Sequence, residues 1–290
     1  MKKFLLFFCA ALLLMSCSKE AEQNQVVPEG KKQVTFKVDG DWSMTTSDMK
    51  GGTKDGNMSA NGSSMTDLWI FDYMGETLVN AIHQTPDSAD WGSPTVELDY
   101  GTHNLYFVAS RGQNPTVNHT TKSITFTKVS DTFWKGLNFN VTPTSSSDQS
   151  VSLNRIVTKF KASITDPIAE GTAAFYVTPN VWYYGVDYTT GAPTASATDQ
   201  SIIVNCPSSN IGSTSCYLSV FGFSATTIWH TDVTLQAKNS SGTVLGEVTL
   251  EDVPFVRNRS TEFSGPLYGS NGRDTIILND TWDDPYTGVW

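Results

Sequence analysis

The chain has 290 residues, with 19 Lys and Arg against 29 Asp and Glu for a formal net charge of −10, and only 17% of its residues are charged. That length suffices for one large or two ordinary domains, each able to bury a core. The acidic balance argues against a nucleic-acid partner, which needs clustered Lys and Arg, and against adsorption to anionic membrane through a basic face. Ser, Thr, Asn and Gly fill the room that charged residues leave, the composition of an exported β protein.

Lys2 and Lys3 precede an apolar run over residues 4–15. The run is too short to cross ~30 Å of hydrocarbon, so it reads as a signal peptide rather than a transmembrane helix. It ends in Leu14-Met15-Ser16-Cys17, which resembles the lipobox of bacterial lipoproteins. The resemblance implies cleavage before Cys17, residues 1–16 being the signal peptide, and acylation of the Cys17 thiol and the new amine. Several acyl chains anchor firmly where one holds marginally. Residues 17–30 then form a lipidated tether. Ser18-Lys19-Glu20-Ala21-Glu22 is similar to the surface-export signal of Bacteroidetes lipoproteins. It implies a lipid anchor in the outer membrane and exposure at the cell surface.

Period-2 alternation dominates the rest, beginning with Val34-Thr35-Phe36-Lys37-Val38-Asp39. It predicts strands near residues 34–39, 67–73, 95–100, 104–109 and 123–127. A second group falls near 156–164, 173–177, 202–205, 217–223, 232–237, 242–250 and 275–278. No mature segment shows helical apolar spacing over three turns. Short strands with Gly-rich turns between them argue an all-β sandwich or barrel. Residues 142–150, from Thr142 to Ser150, have almost nothing to bury and read as a linker between domains at 31–141 and 151–290. Residues 44–64 and 189–200 read as long loops. There is no internal repeat by residue identity, although two successive sandwiches repeat in architecture.

Of four cysteines, Cys9 leaves with the signal and Cys17 carries lipid. Cys206 and Cys216 flank Pro207-Ser208-Ser209-Asn210-Ile211-Gly212, so in an oxidising compartment a loop-closing disulfide is expected, two reduced and buried thiols being the alternative. Neither makes a metal site without further ligands.

His83, His103, His119 and His230 are scattered, with no His-x-x-x-His pair. No Gly-x-Ser-x-Gly elbow, Walker loop or dinucleotide fingerprint occurs. No catalytic residue, cofactor or metal is therefore expected, and His103 is expected on a sheet face. Asp39-Gly40-Asp41 and Asp283-Asp284 read as solvated turn acids. Trp182-Tyr183-Tyr184, next to Asp187 and Tyr188, offers aromatic faces for a sugar, against the plainer reading that these rings fill a core. On the sugar reading the protein is a surface glycan-binding lipoprotein of a nutrient-uptake system. Asp87-Ser88-Ala89 and Asp274-Thr275-Ile276 match an O-glycosylation triplet of Bacteroidetes.

Four passages together resemble the fimbrillin superfamily of Bacteroidetes, the lipoprotein subunits of type V pili. They are Asp67-Leu68-Trp69-Ile70-Phe71-Asp72-Tyr73-Met74-Gly75, then Leu153-Asn154-Arg155-Ile156-Val157-Thr158-Lys159, then Val256-Arg257-Asn258-Arg259-Ser260-Thr261, and the tail with Asp280-Thr281-Trp282-Asp283. The resemblance implies two tandem transthyretin-like β-sandwich domains. It implies a structural or anchoring subunit of a fimbria, active in cell adhesion, whose partners are other fimbrial subunits bound by strand exchange. Such an exchange follows removal of an N-terminal strand by a protease that commonly cuts after Arg. Here the first Arg is Arg111, with Lys31, Lys32, Lys50 and Lys54 as substitutes only for a protease that accepts Lys. An uncut, lipid-retaining, anchor-like subunit is therefore expected.

Overall fold

A computed structural model describes residues 29–40, 65–214 and 216–269, and the backbone of 275–277. The signal peptide, Cys17, most of the tether, the expected loop over 44–64 with Lys50 and Lys54, Asp41, Asp274 and the tail with Asp283-Asp284 lie outside the described residues.

The first part of the chain supplies β1 (Lys31–Gly40), β2 (Asp67–Met74), β3 (Thr77–Gln84), β4 (Thr95–Asp99), β5 (Gly101–Ser110), β6 (Thr116–Asn118), β7 (Ser123–Thr125), β8 (Thr132–Val141) and β9 (Asp148–Arg155). The second supplies β10 (Val157–Ile164), β11 (Thr172–Pro179), β12 (Val181–Asp187), β13 (Pro193–Thr198), β14 (Ile202–Asn205), β15 (Cys216–Phe223), β16 (Trp229–Asn239), β17 (Val244–Phe255), β18 (Ser260–Gly265) and β19 (Thr275–Ile277). Alternation sets the inward faces. On β1, Val34, Phe36 and Val38 are buried while Lys31, Gln33 and Lys37 are exposed. The β2–β3 hairpin turns through Gly75, whose φ of +59° a residue with a Cβ adopts only at a cost.

Two sandwiches follow one plan. In the first, one seven-stranded sheet, β3-β2-β5-β8-β9-β1-β4, folds over so that β4-β1-β9 covers β3-β2-β5-β8, the two layers joined where Phe133 and Trp134 of β8 pair with Arg155 and Asn154 of β9. In the second, β15-β10-β18-β19 covers β14-β11-β16-β17. In both, the opening strand pairs antiparallel with one neighbour and parallel with the other: β1 with β4 and β9, β10 with β15 and β18. This is the tandem transthyretin-like, all-β architecture that the resemblance implied.

A further sheet, β13-β12-β7-β6, takes two strands from each part. Its junction is β7 against β12, with Ile124 opposite Val186. It lies on the outer face of β2, where Trp69, Phe71 and Tyr73 alternate with the inward Leu68 and Ile70. Tyr188 closes the contact. Its ring stacks on Phe71 at 3.9 Å and its hydroxyl meets that of Tyr73 at 2.8 Å, while Trp134 Nε1 donates to its carbonyl at 2.7 Å. Gly191 has φ +70°, and a Cβ there would sit 2.9 Å from the Trp134 ring. The indole and the loop after Tyr188 fit only because that position is glycine.

Two expectations from sequence are corrected. Residues 142–147 are not an interdomain linker but the loop from β8 to β9, and the first sandwich runs on to Arg155. Polar residues dominate there because β9 shows one face to solvent, and only Val151, Leu153 and Arg155 alternate inward. Within the expected loop over 189–200, β13 pairs along β12. Its exposed Ala, Ser and Thr side chains hide a strand from any hydrophobicity pattern.

Two buried ion pairs brace the first sandwich. Arg155 Nε and Nη2 donate to Asp131 Oδ1 and Oδ2 at 2.7 and 3.1 Å, and the guanidinium lies 4.7 Å from the Phe133 ring. Its Nη1 donates at 3.2 Å to Asn258 Oδ1 in the β17–β18 turn, so the two quoted Arg-containing motifs meet at the join of the sandwiches. His103 lies on the inward face of β5, in the core, 1% exposed. Its Nδ1 lies 2.7 Å from Asp72 Oδ1 and its Nε2 2.8 Å from the Asp99 carbonyl. Both partners accept, so both ring nitrogens carry protons. Burial opposes that charge, but the bonds to Asp72 and Asp99 outweigh it and hold the pKa above its ordinary value.

A raised folded-state pKa gives stability that is complete below the ordinary histidine range near 6.5 and is lost as pH rises through the folded value. The urea midpoint of the protein therefore falls on going from mildly acidic to mildly alkaline pH, and His103→Asn flattens that fall; equal slopes in the two proteins would refute the assignment. Arg155→Met, which strands Asp131 without its partner, costs about 3–5 kcal/mol in urea unfolding. Adding Asp131→Leu to it recovers most of the loss.

Candidate functional site

The position of β1 is the feature with the clearest functional consequence. It is the first described strand, yet it is flanked on both sides, from Lys31 opposite Asp99 of β4 to Gly40 opposite Leu153 of β9. Its three inward side chains enter the core, Val34 and Phe36 with no exposed surface. The Phe36 ring lies 5.4 Å from Phe107 and 6.4 Å, edge-on, from Phe139. At about 1.5–3 kcal/mol per fully buried large apolar side chain, these three residues carry a substantial share of a domain's net stability.

The ladder reaches beyond the neighbouring strands. Phe36 N–H donates to the Pro94 carbonyl and Val38 N–H to that of Gly92, both at 2.9 Å. Outward, Lys31 reaches Glu97 at 3.0 Å, Lys37 reaches Asp148 at 3.1 Å and Lys32 Nζ donates to the Pro143 carbonyl at 2.9 Å. The hydrogen bond and charge of Glu97 hold the Lys31 ammonium above the usual lysine range. These exposed pairs add little stability but suit the strand to one register.

The aromatic trio is taken apart by the fold. Trp182 is 1% exposed, donates through Nε1 to the Phe221 carbonyl at 3.0 Å and packs edge-on against Phe255 at 4.9 Å. Tyr184 is buried, which pushes its hydroxyl up to about 12. Only Tyr183 is partly exposed, standing edge-on to Trp229 at 5.5 Å. A strand sends neighbouring residues to opposite faces, so three consecutive rings cannot form one platform. The sugar reading is thereby corrected for Trp182 and Tyr184.

Cys206 and Cys216 are free thiols in the structure, the reduced alternative, and not the expected disulfide. Cys206 follows β14 and Cys216 opens β15, strands of opposite sheets. Asn210 Nδ2 points at Cys216 Sγ from 3.7 Å, and burial raises both thiol pKa values. Ser88, in the Asp87-Ser88-Ala89 triplet, uses its hydroxyl to accept the Thr85 N–H at 3.1 Å. Sequence reasoning missed β9, the second neighbour of β1. The alternation of Val151, Leu153 and Arg155 was its only signal.

No family model matches the chain, and no curated protein matches it. Solved structures do. A candidate adhesin from Bacteroides thetaiotaomicron is 11% identical with a TM-score of 0.52, covering 89% of this chain and 98% of that one. A candidate adhesin from Bacteroides ovatus is 9% identical with a TM-score of 0.50, covering 89% and 97%. At such identities the likeness is one of fold, and it spans both sandwiches.

Phe36→Ala is expected to cost about 3–5 kcal/mol in urea unfolding, as for other fully buried Phe residues. Lys37→Ala, which removes only an exposed pair, should change stability by under about 1 kcal/mol. Equal effects of the two would show that β1 is not seated as described.

Proposed function

We propose that this chain is a structural or anchoring subunit of a cell-surface fimbria, assembled by β-strand addition and contributing to adhesion, and held in the outer membrane by the lipid on Cys17. The observation that carries the reading is the seat of β1. The first described strand lies between two others, and its loss leaves β4 and β9 with facing rows of unpaired N–H and C=O groups above an open core. A partner strand with apolar residues at alternate positions answers both needs. Two neighbours of the same fold are described as candidate adhesins, and a role at the cell surface accords with that.

The lysines divide by consequence. A cut at Lys31 or Lys32 frees the tether and leaves β1 in place, whereas one at Lys50 or Lys54 frees β1 together with the lipid. Arg111 follows β5, and its N–H donates to the Asp131 carbonyl at 3.2 Å, so a cut there would divide the first sandwich rather than release one strand. A protease that cuts after Arg has no useful site before β2, which favours an anchor that keeps its lipid.

Mass spectrometry of the protein from intact outer membranes is expected to find the acylated peptide beginning at Cys17. Its absence from surface material rejects the anchor assignment. Strand addition is checked separately. After a Lys-specific protease has cut between β1 and β2, a labelled synthetic peptide of residues 29–40 should enter the cut protein and not the uncut one; equal uptake by both rejects exchange at β1.

A further inference from the structure

We propose that the first sandwich has a second strand-acceptor site, open without any cleavage, on the side of β9 turned away from β1. Its ligand is an extended segment of another polypeptide, running antiparallel to β9 with apolar side chains at alternate positions. The inference goes beyond exchange at β1 and does not depend on it, because β1 stays in place.

The two sandwiches share a plan but differ at one point. In the second, the edge of β18 away from β10 is covered by β19, antiparallel, with Phe263 opposite Ile276. In the first, β9 holds the place of β18, and its neighbour on the side away from β1 is β8, which pairs with it at Asn154 and Arg155 and leaves the rest of that edge without a strand among the described residues. The chain therefore displays, one domain further on, what fits this slot and in which direction.

Backbone geometry identifies the groups left over. Thr35 N–H donates to the Ser147 carbonyl at 2.7 Å. In a parallel ladder alternate residues face the neighbour, so Gln149, Val151 and Leu153 turn their N–H and C=O groups to β1 while Asp148, Ser150 and Ser152 turn theirs away. Asp148 is capped by its own loop: its N–H donates to Ser146 Oγ at 3.2 Å, and that hydroxyl donates to the Asp148 carbonyl at 2.9 Å. Strand β8 meets β9 only at Asn154 and Arg155. Among the described residues, the amides and carbonyls of Ser150 and Ser152 thus form an open edge.

The facing wall is apolar. Leu137 and Phe139 of β8 pack against the first core and are only partly buried, as side chains are when a layer above them is missing. The devices that usually blunt an exposed edge are absent, since residues 149–153 contain neither Pro nor Lys and no bulge interrupts their pairing with β1. An added strand gains hydrogen bonds from the serine backbones and burial from Leu137 and Phe139, the combination by which peptides extend sheets.

The test uses the intact chain and a synthetic peptide with the sequence of residues 273–279, which contains the segment that fills the matching slot of the second sandwich. In the protein alone, amide exchange at Ser150 and Ser152 is expected to be at least about a hundredfold faster than at Gln149 and Val151, which bond to β1. A millimolar excess of peptide should slow the two serines at least about tenfold. Ser150→Pro and Ser152→Pro remove only outward N–H groups, so each should abolish peptide binding, read by anisotropy of a labelled peptide, while leaving the β1 ladder protected. Serine amides already as slow as their neighbours, no slowing with peptide, or unchanged binding by the folded proline variants would each overturn the proposal. The exchange comparison on the unaltered protein decides the matter even if a proline variant does not fold.

Discussion

The guanidinium of Arg155 and the carboxylate of Asp131 sit at a place where both sandwiches depend on the same charge. Arg155 ends the last strand of the first sandwich, and the chain passes directly into the second through Ile156. A buried ion pair adds little net stability against an apolar replacement, but it is costly to break, and so it selects one arrangement over others. Here the third contact, to Asn258, ties that selection to the β17–β18 turn of the second sandwich. Arg257 strengthens the same corner, donating through Nε to the Ser224 carbonyl at 3.0 Å and through Nη2 to the Gly191 carbonyl.

With the sandwiches fixed at that corner, the sheet shared by β7 and β12 becomes a rigid cover and not a loose appendage. It shields the outer faces of Trp69, Phe71 and Tyr73, which would otherwise form an exposed aromatic patch. The β3-β2-β5-β8 layer of the first sandwich is thus covered on both sides, and both features with functional promise, the seat of β1 between β4 and β9 and the outer side of β9, belong to the other layer of the same sheet.

Period-2 alternation made most of the core strands legible, since a residue pattern of inward Val, Phe and Leu is what a half-buried strand needs. It passed over β3, β8 and the well-buried β12, and it also failed where burial is not the organising influence. Strand β13 exposes most of its small side chains, and β9 is mostly Ser, Asn and Gln with two apolar residues and Arg155 inward. Trp182-Tyr183-Tyr184 shows the opposite error: three rings that are adjacent in the chain point to alternate faces, and the fold buries the first and third. His103 looked like an ordinary strand residue because its partners, Asp72 and the Asp99 carbonyl, come from β2 and β4.

The amino-acid sequence alone determined that the chain is all-β, that it is built in two parts, and that Val34, Phe36 and Val38 share one face of a strand. Those are local matters of alternation, turn residues and composition, and each is settled within a few residues of chain. Tertiary structure alone decided which strands became neighbours, that β1 lies between β4 and β9, and that β8 pairs with only the end of β9. Pairing joins backbones whose hydrogen-bonding groups are the same at every non-proline residue, so strand order is chosen by how whole faces and buried charges fit together and leaves almost no mark on the individual strand.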